Sequence, residues 1–290
     1  MNSEDDIARL NVRDVRRRFD LAADTFDDAD FVHRVARNGL LARLAPMTID
    51  ARTVIDLGSA TGTGSHMLAR RFRRARVIAV DISRNMLCKC RTAKSWFSRV
   101  SVVQANACAL PFADQSVDVV ASSLLLPWID TPAAMFNEVS RVLREDGLFA
   151  FATLGPDSLL ELRRAWAAAD ASAHVNRFFD MHDVGDALVR AGLREPVLDV
   201  DRLAVSYASA DSLFRDLTAM GARNCLALRN PGLVGRQRFR VMTDALRAPG
   251  DGNPIALDLE LVYGHCWGRG APAPAGDIRI DAGDIPLRRT

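Results

Sequence analysis

The residues best suited to chemistry form one run, Val54-Ile55-Asp56-Leu57-Gly58-Ser59-Ala60-Thr61-Gly62-Thr63-Gly64. An apolar stretch ends in a carboxylate, passes through a glycine-rich turn and enters a helical pattern. Glycine permits the tight turn and lets a ligand approach the backbone where a Cβ would block it, while the helix start offers unpaired N–H donors. Asp81 closes the next apolar stretch. An acidic side chain at that place accepts both hydroxyls of a ribose. The chemistry indicated is recognition of a nucleoside-bearing cofactor.

Such residues must be held by alternating strands and helices. Thr53 to Leu57 reads as a strand, His66 to Arg74 as a helix and Val77 to Val80 as the next strand, and Ser83 caps a helix that holds Met86 and Leu87. Val100 to Gln104, Val117 to Ser122, a helix from about Pro132 to Leu143, and Leu148 to Thr153 extend the series. This alternation predicts an α/β fold of the doubly wound class, with a mostly parallel sheet covered by helices. Upstream, Val15, Phe19, Ala22, Phe26, Val35, Leu40 and Leu44 recur at helical spacing before Pro46, so residues 1–50 are expected to be helical. The domain proper then runs over 51–270. Beyond Gly155, Leu159 to Ala169, Asp183 to Ala191, Asp211 to Ala222 and Gly235 to Leu246 read as helices, with strands at Val197 to Tyr207 and Ile255 to Tyr263. Two stretches, about 155–180 and 211–253, are expected to be lid insertions, and 271–290 a loose tail.

With 49% apolar and 26% charged residues the chain has an ordinary globular composition, and no Gly/Ser- or Pro-rich linker divides its middle. The first residues, Met1 to Asp6, lack the apolar centre of a signal peptide, and no stretch is apolar enough for a membrane span, so a cytoplasmic protein with no membrane partner is expected. Cys88, Cys90, Cys108, Cys225 and Cys266 fit no metal-ligand spacing, so no metal and reduced thiols are expected. Arginines cluster at Arg13 to Arg18 and Arg70 to Arg76 within a net charge of only +2. Without a larger basic excess and interleaved aromatics, nucleic acid is not the expected partner; the clusters suit either plain solvation or an acidic protein.

Dinucleotide enzymes use the same strand, turn and acidic residue. Three details oppose that reading: Asp56 precedes the first glycine, no GxGxxG lies in register, and Asn106-Ala107 with Leu110-Pro111-Phe112 follows the third strand. Together these resemble the seven-stranded, Rossmann-like class I methyltransferases, which use S-adenosyl-L-methionine (SAM). The resemblance implies that Asp56, Gly58, Ala60 and Gly62 hold the methionine portion, Asp81 the ribose, and Asn106 with Ala107 the adenine. Ile82 and Met86 are expected against the adenine ring, although core filling accounts for them equally well. Ala60 stands where that family usually has glycine, and Asn106 where it usually has Asp.

A carboxylate or thiolate is ionised near neutral pH and accepts a methyl without a general base. No base motif is evident, which favours a carboxylate acceptor, while His174, His182 and His265 remain open as bases. From Arg17 to Trp267 the chain further resembles the bacterial malonyl-[acyl-carrier protein] O-methyltransferases of biotin synthesis. The carrying segments are Arg18-Phe19 with Ala23 to Asp27, Ser122 to Trp128, Thr153 to Leu159, His174 to Phe178, Arg215 to Leu217 with Gly221-Ala222, and Tyr263 to His265. The implied reaction esterifies the free carboxylate of malonyl-acyl-carrier protein or malonyl-CoA, and the implied partner is acidic acyl-carrier protein. Arg177 and Arg215, in matching lid segments, are candidates to clamp that carboxylate. Phe26, Ser123 and Pro127 depart from the family, which commonly has Tyr, Asn and Gln or His there. Those departures leave two alternatives: a diverged member similar to the mitochondrial complex I assembly factors linked to protein-arginine hydroxylation, or a SAM-binding docking protein without turnover.

Overall fold

The computed structural model describes residues 9–92, 99–229, 232, 234–247 and 254–269. The N-terminal acidic stretch Met1 to Asp6, the end of the second insertion and the expected tail lie outside them. Among the described residues no helix is long and apolar enough to cross a membrane.

Seven strands form one sheet in the order β3-β2-β1-β4-β5-β7-β6. Strands β1 (Thr53–Leu57), β2 (Arg76–Asp81), β3 (Val100–Gln104), β4 (Val117–Ser123) and β5 (Leu143–Leu154) pair in parallel. The last two, β6 (Arg194–Tyr207) and β7 (Ile255–Trp267), pair antiparallel, and β7 inserts beside β5. Successive side chains of a strand point to opposite faces. Accordingly Ile55, Leu57, Ile78, Val80 and Val120 join one apolar cluster, and Val54, Val77, Ala79, Val119 and Ala121 join the other. This two-sided burial explains why the strands read as continuous apolar runs.

The N-terminal segment is not one continuous helix. It divides into α1 (Val12–Ala22), a 3₁₀ turn at Phe26–Ala29 and α2 (Phe31–Leu44). Asn11 accepts from the Arg13 and Asp14 amides to start α1. At the break, Thr25 Oγ1 donates to the Ala22 and Ala219 carbonyls, and Thr61 donates to Asp27 at 2.6 Å. These long-range partners fold the segment back over the C-terminal ends of the central strands. Helix α3 (Thr63–Arg71) starts three residues before its expected His66, because Gly62 in the left-handed region (φ +88°) begins it directly from the glycine turn.

Helix α4 (Arg84–Thr92) is capped by Ser83, whose hydroxyl accepts from the Met86 amide at 3.2 Å. The next helix, α5 (Pro132–Val142), packs on the outer face and runs straight into β5. Helices α6 (Leu160–Ala169) and α9 (Arg236–Leu246) share a satellite core, built from Leu162, Trp166, Leu213, Met242, Leu246 and Ile255. The remaining two are α7 (Met181–Arg190), capped by Asp180, and α8 (Ala210–Ala219), opened by a Ser209/Ser212 capping box. Segment 225–227 is joined to the start of α1 by backbone bonds Asn11 N to Cys225 O, at 2.8 Å, and Ala227 N to Arg9 O, at 2.7 Å. One insertion is therefore tied to the N-terminal helix as well as to the sheet.

Candidate functional site

A cleft of about 310 Å³ opens at the C-terminal ends of β1, β2 and β4. Ligands of open parallel sheets bind at this edge, where the strand order reverses on either side of β1. Gly58, Ala60, Asp81, Ile82, Asn106 and Ala107 line it, and Val12, Val15 and Phe19 of α1 face them from above. A smaller annex of about 40 Å³ continues beneath α2, between Asp56, Ser59, Thr61 and Arg37. Phe26, His33, Gly58, Ala60 and Ser123 line both spaces and mark where they join.

Asp81 is fixed at the cleft wall by backbone amides. Its Oδ2 accepts from the Ala60 amide at 2.9 Å and its Oδ1 from the Ser83 amide at 2.8 Å, the Ile82 amide also favours its charged form, and the carboxylate lines the cleft. Burial raises both Asp56 and Asp81 to a pKa of about 6. For Asp56 the Ser65 hydroxyl, 2.6 Å away, and Arg37 oppose that rise. Asp56 and Arg37 also flank one position: a Cβ built on Gly64 would lie 3.1 Å from Asp56 Oδ2 and 3.4 Å from Arg37 Cδ. The Arg37 stem, not its guanidinium, is the part beside Gly64; the guanidinium pairs with Asp30. Arg37 Nε and Ser59 Oγ in the annex are buried without a hydrogen-bond partner, an arrangement that costs stability until a ligand supplies one.

Not every expected site residue reaches the cleft. Gly62 lies outside both spaces; a Cβ there would come within 2.3 Å of Cys90 Sγ, so this glycine exists for close packing of α3 on α4. Met86 is fully buried among Ala22, Phe26 and Met220 and lines neither space, which selects the core-filling account. Ala60 does line both, but at φ +46°, a conformation costing an L-residue about 1–2 kcal/mol. That is the physical reason glycine suits this position. Asn106 lines the cleft with its Oδ1 already accepting from Cys108 N at 3.0 Å, so one lone pair remains for an adenine amine.

The two arginines expected as a clamp lie elsewhere. Arg177 is exposed with its guanidinium 5.6 Å from the Phe179 ring, and Arg215 is exposed on α8; neither lines the cleft or its annex. Within the same segment it is Asn176 that turns inward, donating to the Pro127 carbonyl at 3.0 Å. His174 stacks on Trp166 and bonds Asp170, while His182 is exposed and His265 lies on β7, so none of the three is at the cleft. Sequence reading missed His33 and Arg37. A signal exists: both are polar and fall in register with Ala36, Leu40 and Leu44 on the buried side of α2.

The methyltransferase domain family matches residues 55–151. The malonyl-[acyl-carrier protein] O-methyltransferase of Laribacter hongkongensis is 42% identical over 93% of this chain and 92% of its own. This chain belongs to that family. A second member, from Halorhodospira halophila, is 39% identical over 98% of both chains. Among solved structures, the YcgJ protein of Bacillus subtilis aligns with a TM-score of 0.60 at 18% identity over 81% of this chain and 99% of that one. Phosphoethanolamine N-methyltransferase 2 of Haemonchus contortus, in complex with SAM, gives 0.54 at 16% identity over 86% and 57%. These two share the fold. As a methyltransferase of the family, the chain is an enzyme whose cofactor is SAM.

Proposed function

We propose that this enzyme methylates the free carboxylate of malonyl-acyl-carrier protein, giving the methyl ester that primes pimeloyl synthesis for biotin. The observation that carries the reading is the reach of the likeness: at 39–42% identity it extends past residues 55–151 into α1 and α2, which line the cleft and its annex, and into the later helices. Those are the parts of a methyltransferase that meet the acceptor. The relatives are named as O-methyltransferases, and neither the hydroxylase nor the docking alternative gains support from them.

SAM, when bound, supplies an electrophilic methyl on a sulfonium, and a carboxylate oxygen that takes it becomes a neutral ester without any proton transfer. Asp81 would accept the ribose hydroxyls, Ile82, Asn106 and Ala107 would bound the adenine, and Asp56 with Arg37 would hold the two charges of the methionine end. Fixing both ends leaves little for the protein to do beyond orientation, which is where most of the rate in such a transfer arises. Exposed Arg13, Arg16 and Arg17 lie on α1, whose Val12, Val15 and Phe19 line the cleft, and would suit an acidic carrier. The second arginine run is different: Arg76 opens β2 at the opposite edge of the sheet, and Arg71 donates to the Leu44 and Met47 carbonyls.

Intact-mass analysis of malonyl-acyl-carrier protein after incubation with SAM tests the reading, with the acetyl form as control. A gain of one methylene on the malonyl form alone supports it. No gain by a protein that binds SAM refutes it.

A further inference from the structure

The cofactor's own connectivity locates the reacting centre. Its sulfur joins the methionine chain to the ribose, and the residues suited to those two ends line different spaces, Asp56 and Arg37 the annex and Asp81 the cleft. With the cofactor bound across both spaces, its methyl group would lie near where they meet. Among the described residues five line both: Phe26, His33, Gly58, Ala60 and Ser123. Only His33 and Ser123 among them carry polar side chains, and the two come from distant parts of the chain, α2 and the end of β4.

Both present an unused polar atom. His33 Nδ1 and Ser123 Oγ are buried without a hydrogen-bond partner. The ring of His33 is set by its neighbours, lying 4.8 Å from Phe26. Leu124, the residue after Ser123, adopts a left-handed conformation at φ +56° while its amide donates to Ala152 at 2.8 Å. Backbone strain of that kind persists where the surrounding structure holds a site in shape.

We infer that His33 and Ser123 form a neutral hydrogen-bond cradle that receives the acceptor's carboxylate and turns one of its oxygens toward the methyl group. This deepens the proposed reading and rests on it. In the tautomer with its proton on Nδ1, His33 donates to one carboxylate oxygen, and the Ser123 hydroxyl donates alongside. Burial, with Arg37 nearby, drives the His33 pKa down to about 4, so the ring is uncharged throughout the working range. A neutral cradle suits the reaction better than a guanidinium pair, because a salt bridge would stabilise the ground-state anion and be lost as the ester forms. Arg37 is already paired with Asp30 at 2.5 Å and faces the annex.

The test compares His33→Ala, His33→Gln and Ser123→Ala with the wild type, measuring kcat and KM for malonyl-acyl-carrier protein and SAM affinity by calorimetry. Loss of one hydrogen bond to a charged group predicts a fall in kcat/KM of about ten- to a hundredfold for each alanine variant. SAM affinity should stay within about twofold, and His33→Gln, which keeps an N–H donor, should recover most of the activity. An equal loss in SAM affinity, or failure of glutamine to rescue, overturns the cradle in favour of a structural role. Unchanged kcat/KM in both alanine variants overturns it too. Should His33→Ala fail to fold, Ser123→Ala, which removes a single hydroxyl, decides alone. A wild type that methylates no malonyl substrate fails the reading itself, and the variants are then compared for binding of malonate to the protein saturated with S-adenosylhomocysteine, where unchanged affinity overturns the cradle.

Discussion

Replacing Asp81 by alanine separates the two ends of the cofactor. The carboxylate oxygens hold backbone amides, Ala60 N at 2.9 Å and Ser83 N at 2.8 Å, and on the proposed reading each also accepts from a ribose hydroxyl. Two hydrogen bonds to a charged acceptor contribute about 1.5–3 kcal/mol each, so SAM should bind about 10²- to 10⁴-fold more weakly. The deletion also strips partners from two amides, costing about 1–3 kcal/mol apiece in stability, which in a chain of this size lowers Tm by several degrees. The assay is calorimetry at 25 °C on the folded variant with two ligands, SAM and 5′-methylthioadenosine. The second keeps the adenine and ribose but has neither ammonium nor carboxylate. Asp81→Ala should weaken both ligands alike, whereas Asp56→Ala and Arg37→Ala should weaken SAM by tenfold or more and spare methylthioadenosine. An Asp81→Ala protein that binds SAM normally, or loses SAM but not methylthioadenosine, refutes the assignment of the cleft and its annex.

Four further outcomes are expected. Asp56 and Asp81, raised by burial to about 6, hold extra protons relative to the unfolded chain between about pH 4 and 6, so cofactor-free stability should fall as pH rises through that window, by an order of 1–3 kcal/mol per group. Ammonium and hydroxyl donors prefer the ionised carboxylates, so the Tm gain from SAM should be larger at pH 7.5 than at pH 5; an equal gain at both would count against the assignment. Ala60→Gly removes the strain at φ +46° and should raise Tm by a few degrees without loss of SAM affinity, as read by thermal melts and calorimetry. Gly62→Ala should lose about 2–4 kcal/mol in chemical denaturation, since its Cβ would meet Cys90 Sγ at 2.3 Å in a left-handed conformation. Adding Cys90→Gly should recover part of that loss, and additive losses would show that the contact is not the cause.

Local signals were legible wherever the physics is local. Thr53–Leu57 followed by Gly58 reads as a strand and turn because side-chain period and glycine freedom act over a few residues. Asp81 is legible for the same reason, as the polar end of an apolar run, and the acceptor was legible only through resemblance. Position along the chain does not show which neighbour a residue will meet. Gly62 and Met86 sit in register with residues that line the cleft, yet their environments are Cys90 on one side and Phe26 with Met220 on the other. Arg177 and Arg215 have the right charge for a carboxylate, and the turn of their segments leaves them exposed, with Asn176 directed inward instead.

By itself the sequence determined the order of strands and helices, the nucleoside-cofactor pattern of the glycine turn with Asp81, and the resemblance to a methyltransferase family. Tertiary structure alone decided which side chains line the junction of the cleft and its annex. His33 and Arg37 reach the annex only because the chain breaks at Phe26–Ala29 and Thr61 holds Asp27, which lays α2 over Asp56 and Ser123. Those contacts span long separations in sequence, and no propensity or period encodes them; they follow from how helices pack once the sheet exists.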